Sequence, residues 1–564
     1  MEKRIILAIL LMLIVAVLPS ILFPPKKPAG RTVGPSDSTA KPARPAPQAA
    51  APAPPSVSPT VRPSEAPAET VWVTSPLYRL GFSTRGGALV HAELLEYRSF
   101  ARADSGRPVQ LVREGGEPLL VYRRTGGGGG GGGGTDTTNL SDWSLTPSAG
   151  RVRVGSEGAT LTFTGERAGA RVAVEYRFFP GEYRLAVRGG MEGAGFGPAG
   201  ATLLVGLGEG LRSVEADSMD DFRHYAVVTK AAKTQSTALQ SIKESERKIL
   251  DGPFEWAGVK SKYFFIAALA VEENQPRFGA AIVQGGARTV TSSSLFGRSA
   301  VATRASVAVT LPAPTGSFRY ELYVGPLEYR RLAQLGHDLD DANPYGGFMR
   351  PIIQPVSVLV VNILIWMHDQ LRLAYGWVLI IFGVLVRGLL WPLNQKAMES
   401  SLRMQAVAPL MKQVQDRYKN EPERLQREMM RLYKEHNVNP FGGCLPMLLP
   451  MPVLFALFFV FANTIEFRGV PFLWLSDLSR ADPYYIIPIV MGLSMFVLSK
   501  VGQIGVPPNP QTKMMLYFMP GFMTLLFLNF ASGLNLYYAV SNIFSIPQQY
   551  LIARRRLREQ GKKT

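Results

Sequence analysis

The sequence predicts an α-helical membrane protein, a five-helix core plus an N-terminal span, that carries an all-β sandwich domain. Three observations point there. The 564 residues are 46% apolar with mean hydropathy +0.07, high for a chain held wholly in water. Residues 70–335 alternate apolar and polar side chains with period two. Beyond residue 351, apolar runs alternate with short polar connections.

At the N-terminus, Lys3 and Arg4 precede the apolar run 5–23, so residues 1–23 read as a membrane anchor with its start in the cytoplasm. A cleaved signal peptide is the alternative, but residues 18–23 offer no small-residue cleavage site. Residues 24–69 are rich in Pro, Ala and Ser. They cannot bury enough apolar surface to offset chain entropy and read as a disordered tether.

In the β block, Val172, Val174, Tyr176 and Phe178 alternate with Arg171, Ala173, Glu175 and Arg177, and Tyr320, Leu322 and Val324 repeat the device. Gly and Pro turns separate such runs, which indicates an antiparallel sandwich. Only 236–250 suggests a helix. The glycine tract 126–134 reads as a flexible surface loop. Because the block follows an N-in span, it is expected on the outer, periplasmic side.

Candidate spans of the core, residues 375–553, are 375–393, 444–464, 484–500, 514–531 and 534–553. The run 352–371 is ambiguous, and counting it inverts everything that follows. The cytoplasmic insert 394–443 holds nine Lys/Arg, and the basic tail 554–564 six more. The excess of cations on cytoplasmic segments therefore lays 351–372 flat as an amphipathic interfacial helix, with Asn362, His368, Asp369 and Arg372 toward headgroups. Both chain ends are then cytoplasmic. The insert carries apolar residues at helical spacing on either side of Lys419, which predicts a helical hairpin whose second arm starts at a capping box of Asn420 and Glu423.

The charge balance, 61 Lys+Arg against 43 Asp+Glu, gives a net +18 and suits an anionic lipid or nucleic-acid neighbour. One cysteine, Cys444, and five histidines exclude a disulfide scaffold and a CxxC metal site. No glycine-rich phosphate loop follows a strand, so no cofactor is expected. The sharpest chemical signal is Arg387, inside an apolar run roughly 10 Å from the span end near Asn394. An arginine at that depth faces a wet cavity, or else snorkels to the interface. The last span adds Asn535, Tyr537, Tyr538, Ser541 and Asn542. Prolines and methionines are dense throughout the core, which suits a deformable bundle with an adaptable apolar wall.

These segments are recognisable. Residues 438–446 (VNPFGGCLP), Met451-Pro452, 482–489 (DPYYIIPI), 532–534 with Leu536-Tyr537-Tyr538 and Ser541-Asn542, and Val386-Arg387-Gly388 closely resemble the YidC membrane protein insertases. The likeness is strong from 351 to 556. The β block is similar to the family's Gram-negative form in position and character, with Trp256 and Lys262-Tyr263-Phe264 as weaker matches.

The resemblance implies an inner-membrane insertase and chaperone that makes and breaks no bond. It implies a hydrophilic groove open to the cytoplasm, with Arg387, Tyr537 and Tyr538 as its polar groups, and a slide for the client's apolar helix at Met451, Leu454 and Leu526. Implied partners are nascent membrane proteins, the Sec translocon, the ribosome (through basic tail and hairpin) and membrane lipids, with no role for DNA. One departure stands out: Gly383 occupies a place where many relatives show threonine. The rival classes are a secondary transporter, against which the spans lack a repeat, and a periplasmic binding domain on a passive anchor.

Overall fold

The computed structural model describes residues 68–561, except 128–134, 194–200, 272–276, 294–297, 344, 346–348, 393–394, 396–406, 408–409, 412, 437–450 and 506–509. The expected anchor 1–23, nearly all of the tether, most of the glycine tract, the start of the hairpin's first arm and Lys562 and Lys563 lie outside the described residues.

The β block forms two sheets. The first has 11 strands, with Arg247–Phe254 at one edge, Phe278–Ser293, Arg298–Pro312, Thr202–Leu207, Leu119–Gly127, Leu89–Arg98, Tyr78–Ser83 and Thr70–Thr74 across it, and Arg151–Arg153 at the other edge. The second has 9 strands, from Thr234–Ala238 through Ser317–Pro326 and Ala170–Phe178 to Thr146–Pro147. The alternation at 172–178 is realised as read: the apolar members are buried and their neighbours face out. The sheets are joined through tyrosines, because a buried phenol must find a hydrogen-bond partner. Tyr122 of the first sheet meets Tyr176 at 3.1 Å and Tyr320 at 2.8 Å, both on the second.

Three expectations fail here. Residues 236–250 form strands and one short 3₁₀ turn at Leu239–Ser241, because Thr237 pairs with Val227 and Ile249 with Ile282; neighbouring strands override a weak local helical pattern. The sandwich is not wholly antiparallel, since Thr70–Thr74 runs parallel to Arg151–Arg153. Two short helices also interrupt it, α1 at Ser218–His224 and α2 at Tyr329–Leu335.

Around α1 lies a buried ionic cluster. Lys262 Nζ donates to Asp220 at 2.8 Å, while the Lys262 backbone N–H and the Ser213 hydroxyl donate to Asp221 at 3.1 and 2.7 Å. Burial alone would raise Asp220, but the Lys262 and His224 charges outweigh it and hold that carboxyl well below the usual range. Burial, with the Glu215 charge beside it, pushes Asp221 up to about 7, and burial pushes His224 down to about 4.

The helical part follows: α3 at Arg350–Leu371, α4 at Tyr375–Leu389, α5 at Pro422–Glu435, α6 at Met451–Asn463, α7 at Ile486–Gly502, α8 at Pro510–Phe527 and α9 at Ser532–Gly561. Among the described residues, every large exposed apolar side chain except Ile249 lies between Ile352 and Leu557. Water would penalise such a surface and lipid would not. By length and composition α3 alone suffices to cross a membrane, while α4, α7 and the apolar stretches Pro452–Asn463 and Leu516–Phe527 are shorter.

Details at the helix ends correct the sequence reading. The second arm of the insert starts at Pro422 with Glu421 as its cap and no side-chain capping bond, so Asn420 caps nothing. On α3, Asn362 and Arg372 are exposed, but His368 bonds the Leu373 carbonyl at 2.7 Å and stacks on Tyr375, and Asp369 pairs with Arg330 at 2.7 Å. Those two side chains hold the α3–α4 turn and the β domain instead of reaching for headgroups.

Candidate functional site

Helix α4 ends sooner than its apolar run suggests. Gly388 is a poor helix residue, and Pro392 has no N–H for the carbonyl four positions back, so the chain turns at Leu390. Arg387 thereby lies in the last helical turn, where unpaired carbonyls favour a cation; this is shallower than the depth counted to Asn394.

Its side chain is half-buried against α9, and its Nε donates to the Ser545 hydroxyl, which in turn donates to the Ser541 carbonyl. No ion pair to Arg387 occurs among the described residues. The face of α9 turned to α4 comprises Tyr537, Ser541, Ser545 and Gln548, spaced four, four and three apart as one helical stripe requires. Tyr537 tilts against Phe382 with ring centroids 6.1 Å apart, and Gln548 Nε2 donates to the Trp391 carbonyl at 3.2 Å.

Gly383 completes the lining. A Cβ built there would meet Tyr537 and Ser541 at 3.4 and 3.5 Å, ordinary contact distances, so a side chain fits. The Ser541 hydroxyl beside it is buried without a hydrogen bond. A threonine hydroxyl at 383 would lie close to it.

Of the sequence-predicted site residues, Arg387 and Tyr537 are brought together. Tyr538 turns the other way, its ring 5.5 Å from Phe527 of α8. Asn535 bonds the Phe527 carbonyl at 3.0 Å and Asn542 bonds Ser494 at 3.3 Å; both tie helices to one another. Ser545 and Gln548 were missed, although their spacing from Tyr537 carries the signal. On the expected slide, Met451 opens α6, and Leu454 on α6 and Leu526 on α8 are half-buried. Phe458 of α6 meets Phe530, in the turn that follows α8, with centroids 5.3 Å apart.

The bundle is closed over at the end where α4 and α9 start. The connection between α6 and α7 returns across the starts of α4 and α9: Phe472 packs on Trp377 at 5.6 Å, and the Ser532 and Gly533 N–H groups donate to the Arg480 and Leu478 carbonyls at 2.7 and 2.9 Å. A Cβ at Gly376 would lie 2.0 Å from Phe472, so only glycine permits this approach.

A β domain leading into an apolar bundle with an arginine on its polar lining defines a class, the inner-membrane proteins with a large periplasmic domain. The family described as 60Kd inner membrane protein matches residues 366–560, and the YidC periplasmic domain matches 70–359. The membrane protein insertase YidC of Syntrophus aciditrophicus (strain SB) is 31% identical over 98% of this chain and 99% of its own. That of Anaeromyxobacter sp. (strain Fw109-5) is 32% identical over 87% and 86%. A crystal structure of an active YidC insertase with its first transmembrane domain resolved aligns at 16% identity and TM-score 0.33, covering 86% of this chain and 94% of that one. The chain belongs to the YidC membrane protein insertase family.

Proposed function

We propose that the chain inserts proteins into the inner membrane by giving a client's short polar segment a wet, cationic path through the cytoplasmic half of the bilayer. The observation that carries this reading is the Arg387–Ser545 contact: a guanidinium at an apolar helix end, with hydroxyls for company and no carboxylate paired to it among the described residues. Such a cation retains water, and water in half of the bilayer shortens the hydrocarbon that a charged tail must cross. Catalysis here is the lowering of a transfer barrier.

In this reading α3 lies along the outer interface. Of its large exposed apolar residues, Ile352, Leu359 and Trp366 recur every seventh position as one narrow stripe, Leu371 follows at the helix end, and Asp369 there is held by Arg330 of α2. Helices α4, α6, α7, α8 and α9 then span, with the insert and tail on the cytoplasmic side with their cations. The client's apolar helix leaves along Met451, Leu454 and Leu526. Nascent membrane proteins are the substrate; the Sec translocon, the ribosome and lipids are proposed partners.

The test is crosslinking of a stalled nascent chain to full-length protein with single cysteines. Adducts are expected at positions 454 and 526 and none at 249, on the β domain. Equal labelling of all three would overturn the path.

A further inference from the structure

The connection between α6 and α7 is also clamped to the β domain: Ile465 joins that domain's apolar core, and Arg468 makes the ionic contact. Arg468 leaves the short turn Ile465–Phe467 and inserts into the β domain, where its side chain is 3% exposed. Its Nε donates to Glu215 at 2.8 Å, and its guanidinium lies over the Phe100 ring at 4.4 Å and near the Phe264 ring at 5.4 Å. The next residue, Gly469, has φ +71° and packs so close that an added Cβ would sit 2.6 Å from Phe100. The backbone is therefore shaped to admit this approach. A second polar link lies nearby: Lys260 Nζ donates to Asn343 at 2.6 Å, and Asn343 donates to the Asn463 carbonyl at 2.6 Å.

We propose that Arg468 is a positioning residue of the insertase: through Glu215 and Phe100 it makes the β domain a brace for the outer ends of α4 and α9. α4 carries Arg387 in its last turn and α9 carries Ser545 near its middle, and both helices start beneath the connection that Arg468 anchors. A loosened anchor frees the Phe472 and Arg480 contacts, and the facing registers of the two lining helices follow. The geometry suits a clamp more than a surface contact. An arginine can stack on a ring while its edge donates to a carboxylate, which a lysine does poorly. Burial also pushes the Glu215 carboxyl up against the pull of Arg468, so either charge is costly alone.

This inference rests on the insertase reading for its functional half only. The test uses the full chain in lipid nanodiscs with Cys444→Ser and spin labels at Arg171→Cys, on the β domain, and Tyr484→Cys, on the outer connection. The unmodified clamp should give a narrow distance distribution. Arg468→Ala and Glu215→Gln should each broaden it about two-fold, the width expected of a locally opened segment. The double variant should be no worse than either single one, and Arg468→Lys should recover part of the order.

Insertion of a short client should fall about ten-fold in the broadened variants, as when one partner of a buried pair is lost. Glu215→Gln, nearly isosteric, keeps the test open if Arg468→Ala fails to fold. Unchanged widths, additive effects or full insertion by a broadened variant would each overturn the brace. Failure of the wild-type chain to insert any client would sink the insertase reading instead, and the distance measurement would still judge the clamp.

Discussion

Arg387 meets Ser545, and that contact separates two roles for the cation. If charge and retained water matter, Arg387→Lys keeps most insertion of clients with acidic tails, while Arg387→Ala loses roughly ten-fold, about the worth of one charge-assisted hydrogen bond. Ser545→Ala should cost less, because water replaces the hydroxyl. Equal insertion by all three in a reconstituted assay would mean that the side chain merely snorkels. Arg387 was legible in the sequence because a lone cation in an apolar run is conspicuous. Ser545 was not, since one serine among several acquires meaning only when a helix 158 positions away turns toward it. Tyr538, which the resemblance placed with Tyr537 in the groove, faces Phe527, because successive residues on a helix diverge by about 100°.

Apolar runs marked where helices form, because apolar length is a composition signal, but not all of their ends: α9 continues eight residues past 553. The basic tail shows what an element adds. Residues 554–558 continue α9 as helix, and Arg556 is buried, donating to the Gly502 and Ile504 carbonyls at 3.1 and 2.9 Å. One of the six cations thus serves the C-terminal end of α7, where orphan carbonyls welcome it. Deleting 554–564 therefore mixes two effects that point substitutions resolve. Arg556→Ala should loosen the segment after α7 and lower thermal stability by about 1 to 3 kcal/mol, the cost of orphaned buried groups, with little effect on ribosome binding. Arg554→Ala with Arg555→Ala, both exposed, should leave stability unchanged and weaken ribosome co-sedimentation, most at low salt. Co-sedimentation unaffected by the exposed pair at low salt would reduce the tail to an orientation signal.

For the whole molecule, the β-plus-helical class followed from period and composition, whereas the joint between the two parts did not: Glu215 and Arg468 are 253 positions apart, and nothing local marks either. That joint and the α1 cluster set the pH response. Asp221 and Glu466, both pushed up by burial to about 7, favour the protonated folded state, so their stabilisation is complete below about pH 4 and is lost as pH rises through 7. His224, pushed down to about 4, works the other way between about pH 4 and 6.5. Lys260, pushed down by burial to about 7, makes stability rise with pH above that value. Together these groups make stability fall as pH rises toward 7 and recover above it. Denaturation midpoints of the full chain should be higher at pH 5 than at pH 7, and Asp221→Asn should flatten the difference; a rise from pH 5 to 7 would refute it. The length of α9 has a separate consequence. Its 30 residues measure about 45 Å, some 15 Å more than a bilayer's hydrocarbon. In the proposed orientation Ser532 lies under the outer connection, and the surplus extends past the cytoplasmic headgroups beside the end of α7 that Arg556 holds. The exposed cations Arg554 and Arg555 are then presented at a fixed height to whatever large particle docks there.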